Sequence, residues 1–180
     1  MVYIFLAEGF EEIEAITTQD ILLRAGIEAK TVGIGTKYIE GSHGIKVECD
    51  MCEKRASTDD DITAIVLPGG MPGTTNLKES EVVNHFIDFA NDNKVLIAAI
   101  CAAPSVLGSK ELLKNKQATC YPGFEKELID AKLSEKSVCV DDNVITAKGP
   151  GVTIDFALEI VKYLVDEKTA IDIKESMQCK

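Results

Sequence analysis

The chain has 180 residues, 46% hydrophobic and 27% charged, with a formal net charge of −11. A chain of this length and hydrophobicity buries a core as one domain, residues 1–180, and its surplus of acids without a basic cluster excludes a nucleic-acid partner. No apolar run reaches the roughly 18 residues of a membrane helix, and Glu8 arrives too early for a signal peptide. The reading is therefore a cytoplasmic protein with no membrane partner, its six cysteines kept as thiols.

Val2 to Ala7 is a short continuous apolar run, the pattern of a strand buried on both faces. Residues 11 to 25 predict a helix, with Glu11, Glu12 and Glu14 at its start, Arg24 in its last turn and Gly26 as its stop. Ile27 to Ile34 is extended, and Tyr38–Ile39 with Ile45–Val47 flank a glycine-containing turn that predicts a β-hairpin. Ile62 to Leu67 is a strand ending in Pro68-Gly69-Gly70, followed by a helix over 78–91 and another apolar strand at Val95 to Ile100. A helix over 104–113 follows Cys101. Asn143 to Ala147 then leads through Gly149-Pro150-Gly151 into a helix over 153–165. Buried strands alternating with helices imply an α/β architecture, a mostly parallel sheet covered on both faces.

The strongest chemical signal is Leu96-Ile97-Ala98-Ala99-Ile100-Cys101-Ala102-Ala103-Pro104. A buried strand runs straight into a helix, with Cys101 at the junction, small residues around it and Pro suited to the first helical turn. A thiol facing a helix N-terminus is expected to have a lowered pKa, and the carboxyl end of a strand is where open α/β sheets place their sites. The loop Leu67-Pro68-Gly69-Gly70-Met71-Pro72-Gly73 ends a second buried strand, and its glycines allow backbone N–H groups to approach a ligand. It lacks the Gly-Lys-Ser/Thr ending of a phosphate loop. In the first helix, Glu11 and Glu14 share a face while Glu12 points away. Cys49 and Cys52 have metal-ligand spacing, but no second pair or histidine follows at zinc-finger spacing. His43 falls in the hairpin and His85 in the 78–91 helix, so no local Cys-His dyad exists. Cys120, Cys139 and Cys179 lack an elbow and read as packing or exposed thiols.

Four motifs occur in order: Ala7-Glu8-Gly9-Phe10-Glu11-Glu12-Ile13-Glu14, Leu67-Pro68-Gly69-Gly70, Ala98 through Pro104, and Lys148-Gly149-Pro150-Gly151. Together they resemble the ThiJ/PfpI superfamily over essentially the whole chain, closest to its parkinsonism-associated deglycase, or glutathione-independent glyoxalase, branch. The resemblance implies a flavodoxin-like three-layer sandwich of the class I glutamine amidotransferase type and a homodimer. It also implies Cys101 as nucleophile, Glu14 as the carboxyl group that hydrogen-bonds the thiolate, and Gly70 and Ala102 as sources of oxyanion-hole N–H groups. A Glu shielded from water has a raised pKa and can donate to a thiolate.

Two positions depart from relatives. Protease-like members carry His after the nucleophile where this chain has Ala102, which argues against a cysteine protease or amidase because no adjacent base serves a leaving amine. Tyr121 stands where the deglycase relative has a site histidine, and its hydroxyl offers a polar contact instead. His43 falls where relatives place a polar hairpin residue near the partner subunit's site. The implied function is cysteine-dependent conversion of a small-molecule carbonyl substrate, an α-oxoaldehyde such as methylglyoxal or its adducts, with no cofactor and no metal. The alternative is a redox-responsive stress sensor or chaperone working through oxidation of Cys101.

Overall fold

Val2–Leu6 (β1) is buried along its whole length because it lies inside a sheet with a helical layer on either side. The computed structural model describes residues 1–179. After β1 come α1 (Glu12–Arg24), β2 (Ala29–Gly33), the hairpin β3 (Tyr38–Glu40) and β4 (Lys46–Glu48), β5 (Met51–Cys52) and β6 (Ala64–Leu67). The chain continues through α2 (Gly73–Glu79), α3 (Glu81–Asp92), β7 (Leu96–Ile100), α4 (Pro104–Ser109), β8 (Gln117–Ala118) and β9 (Lys132–Leu133). It ends with β10 (Val138–Asp141), β11 (Val144–Ala147), α5 (Thr153–Leu164) and α6 (Glu167–Ser176).

Seven strands form one sheet in the order β10-β11-β7-β6-β1-β2-β5. Every neighbouring pair is parallel except β10 with β11. The period-2 alternation of a strand sorts the core into two clusters. Val2, Ile4 and Leu6 face Ala15, Ile21 and Leu22 of α1 and Phe156 and Ile160 of α5. Tyr3 and Phe5 face Leu77 of α2, Phe86 and Ile87 of α3, and Val106 of α4. This is the expected mostly parallel three-layer sandwich. The carboxyl ends of β1, β6 and β7 lie side by side, on both sides of the point where the strand order reverses.

The structure corrects several sequence expectations. The helix over 78–91 is two helices, because Ser80 breaks it: its Oγ accepts the Val83 N–H at 3.3 Å and caps α3. The helix over 104–113 stops at Ser109. Segment 125–128 crosses so close that a Cβ on Gly108 would sit 2.0 Å from the Glu127 carbonyl oxygen, and the chain leaves through turns with Glu111 at φ +57°. Helix α6 was not anticipated. The Asp166 carboxylate caps it by accepting the Thr169 N–H at 2.7 Å, and only Ala170 and Ile173 are buried on it, too sparse an apolar stripe to read from sequence.

Candidate active site

Cys101 is the first residue after β7 and has φ +65°, in the left-handed region that costs a residue with a Cβ on the order of 1–2 kcal/mol. Its backbone is held from both sides. The Cys101 N–H donates to the Ala147 carbonyl of β11 at 2.9 Å, and its own carbonyl accepts the Tyr121 N–H at 2.8 Å. Ala102 and Ala103 make the turn and Pro104 opens α4, which together form a strand–turn–helix elbow that leaves the thiol half-buried.

Glu14, in the first turn of α1, is fully buried beneath this elbow. Its Oε2 accepts the Gly69 N–H at 2.7 Å, while Oε1 is buried with no nitrogen or oxygen donor among the described residues. Gly69 is the wedge between the two groups. A Cβ there would lie 2.7 Å from Cys101 Cβ, 3.0 Å from Glu14 Oε2 and 3.1 Å from the Ala102 nitrogen. Gly69→Ala is therefore expected to destabilise the protein by about 1–3 kcal/mol and to slow Cys101 alkylation at least about tenfold. Denaturant melts and the iodoacetamide rate at Cys101 check this; an unchanged rate would mean that the elbow tolerates the wedge.

Gly70 has φ +90°, and a Cβ on it would fall 2.5 Å from both the Glu11 nitrogen and the Gly9 carbonyl oxygen, so only glycine fits. The N–H groups of Ala102 and Gly70 act on the Cys101 sulfur and draw its pKa down. These are the two positions named from the resemblance. Gly149 closes another side: a Cβ there would meet Tyr121 Cδ2 at 3.1 Å and Cys101 Sγ at 4.0 Å, which puts the exposed Tyr121 ring beside the thiol.

The electrostatics overturn the expectation of a thiol acidified by its helix. Burial, then the negative charge of Glu14 and a hydrogen bond to it, push Cys101 up to about 12, and the Ala102 and Gly70 N–H groups offset only part of this. The α4 helix is one and a half turns long and adds little. Burial pushes Glu14 up to about 7 against the Gly69 hydrogen bond, with a further rise from the charge of Glu11. Burial therefore opposes charging both groups at once. A thiolate therefore forms most readily while Glu14 is protonated.

Off the face shared by Glu11 and Glu14, Glu12 meets the hairpin. It is buried, and its Oε1 accepts the His43 N–H at 2.8 Å while its Oε2 lies 2.9 Å from His43 Nδ1. His43 thus joins the hairpin to the start of α1, and its hydrogen bonds go to Glu12 and Ser42, not to Cys101. Glu11, Glu12 and His43 place donor atoms within 4.8 Å of one another, the one such metal-capable group among the described residues. Cys49 is buried and Cys52 half-buried, both as free thiols outside that group. His85 is exposed on α3, Cys120 and Cys139 are buried, and Cys179 is half-buried.

A cysteine at a strained elbow over a buried carboxyl, at the carboxyl edge of a flavodoxin-like sheet, defines a class of α/β protein organised around one thiol. Residues 1–163 match the DJ-1/PfpI family, and the chain belongs to it. It is 33% identical over 181 residues to the Parkinson disease protein 7 homolog of Danio rerio, covering 98% of this chain and 96% of that one. It is also 33% identical over 159 residues to the glutathione-independent glyoxalase DJR-1.2 of Caenorhabditis elegans, covering 87% and 84%. The structure of oxidized Toxoplasma gondii DJ-1 superposes with a TM-score of 0.94 at 32% identity, covering 99% of this chain and 97% of that one.

Proposed function

We propose that this protein is a cysteine-dependent, glutathione-independent glyoxalase acting on small α-oxoaldehydes such as methylglyoxal, with deglycation of their adducts as chemistry of the same thiol. The observation that carries the reading is the Cys101–Glu14 pair: a nucleophile and a buried acid/base with a pKa of about 7, with no histidine at the elbow. The glyoxalase relative supports the substrate class.

The thiol of Cys101 adds across the aldehyde. An S–C bond forms and the thiol proton passes by way of Glu14 to the oxygen, giving a hemithioacetal. The N–H groups of Gly70 and Ala102 stabilise the developing oxyanion. As carboxylate, Glu14 then takes the proton from the former aldehyde carbon and returns it to the neighbouring carbonyl carbon through an enediol, while the hydroxyl proton passes from the first oxygen to the second. One carbon is oxidised and the other reduced, so no external electron carrier is required. The product is a 2-hydroxyacyl thioester; water cleaves it, releasing the 2-hydroxy acid and restoring the thiol.

The working unit in this reading is a homodimer. Ile13, Ile16 and Leu23 form an exposed apolar stripe on α1, and Ile45 extends it from the hairpin turn. Lactate formation from methylglyoxal without glutathione tests the activity. The expected result is enzyme-dependent lactate at a rate proportional to protein concentration. A folded protein that gives no lactate above the buffer rate would sink the reading.

A further inference from the structure

The buried carboxylate of Glu12 belongs to no step above, yet the local backbone is shaped around it. Its Oε1 accepts the N–H groups of His43 at 2.8 Å and Ile45 at 3.4 Å, and its Oε2 takes the His43 ring at 2.9 Å and the Ser42 hydroxyl at 3.3 Å. Gly41 makes room for it, since a Cβ there would lie 2.3 Å from the carboxyl group. The turn between β3 and β4 is thereby fastened to the first residue of α1.

The fastened hairpin in turn holds residues 9–11. The Gly9 N–H donates to the Glu40 carbonyl at 2.8 Å, and the Ser42 N–H donates to the Phe10 carbonyl at 2.8 Å. Those residues seat the glycine loop: the Glu11 N–H donates to the Gly69 carbonyl at 2.9 Å, and Gly70 sits against Gly9 and Glu11 with no space for a Cβ. A continuous set of contacts therefore runs from Glu12 to the Gly70 N–H at the Cys101 sulfur.

We infer that Glu12 is a positioning residue, a latch that fixes the β3–β4 hairpin on α1 and so sets the Gly70 N–H on the thiol of Cys101. The inference rests on Cys101 being the reactive thiol, and it deepens the reading above by adding a residue that touches neither substrate nor sulfur. Burial alone would raise the Glu12 pKa, but the His43 ring and the backbone N–H groups hold it near 2, so the latch stays charged throughout the working range. His43, exposed beside Glu11 and Glu12, has a raised pKa. Its charged contribution is present at low pH and fades as pH rises through that raised value, while its backbone N–H bond to Glu12 persists.

The test reads the pH profile of Cys101 alkylation by iodoacetamide, mapped by peptide mass spectrometry, so it stands whether or not the protein turns over methylglyoxal. The titratable groups around the sulfur are Glu14, Glu11 behind it, and Tyr121. With the latch gone, the Gly70 N–H no longer favours the thiolate. Glu12→Ala is expected to move the profile upward by about one pH unit, roughly a tenfold slower reaction at neutral pH. Glu12→Gln, which keeps the acceptor for the His43 and Ile45 N–H groups, is expected to recover most of the rate. Gly41→Ala displaces the carboxylate without removing it and serves if Glu12→Ala does not fold; it is expected to shift the profile in the same direction. A lowered melting temperature with the profile unmoved in the folded variants would reduce Glu12 to a structural residue and overturn the inference.

Discussion

Cys101→Ser is expected to reduce lactate formation from methylglyoxal by about a thousandfold or more while leaving the fold intact. The substitution exchanges one small atom at a site whose backbone is fixed by Ala147 and Tyr121, so the elbow survives. The hydroxyl, however, is a far weaker nucleophile than a thiolate, and no histidine at the elbow can take its proton as a serine hydrolase requires. Cys101→Ala should leave the same residual rate, because what remains is solution chemistry. The comparison is made on kcat/KM, with the melting temperature as control for folding. A Cys101→Ser enzyme within tenfold of wild type would remove the covalent mechanism and leave Glu14 as a simple base acting on hydrated aldehyde.

The sheet was legible because its central strands, β1, β6 and β7, are wholly apolar. Ile65–Leu67 and Leu96–Ile100 cannot sit at a surface, and alternation with helices gives parallel order. The elbow was legible for a related reason: Cys101 interrupts an apolar strand just where small residues and Pro104 permit a turn. Glu12 was not legible. Helical spacing sends it away from Glu14, but what covers that face is a hairpin about 30 residues later, and no periodicity in α1 reports it. The thiol's electrostatics were hidden likewise. Sequence shows a helix start after Cys101 but neither the burial of the thiol nor the charge of the buried Glu14 beside it, and those two facts, burial first, reverse the sign of the shift. Contacts distant in sequence decided both of these misses.

Glu14→Gln is expected to abolish turnover and yet stabilise the protein at alkaline pH. The folded-state pKa of Glu14, about 7, lies above its ordinary value of 4.5, so between those values the folded protein holds a proton that the unfolded chain has released. Stability is therefore full below about pH 4.5, falls as pH rises, and levels off above about 7, with a total loss of about 3 kcal/mol. Glutamine removes this dependence. Its oxygen can still accept the Gly69 N–H, and its amide can occupy the position of Oε1. Urea denaturation at pH 5 and pH 8 should show wild type losing stability that Glu14→Gln keeps; a flat wild-type response would mean that Glu14 remains charged in the fold. The same variant separates two roles of the carboxyl group. An amide can donate to a thiolate but cannot carry a proton between two carbons, so Cys101 should still alkylate at neutral pH while lactate formation falls at least about a hundredfold. Parallel loss of alkylation and turnover would assign Glu14 to thiolate formation alone, whereas retained alkylation without turnover places it in the proton transfer that follows.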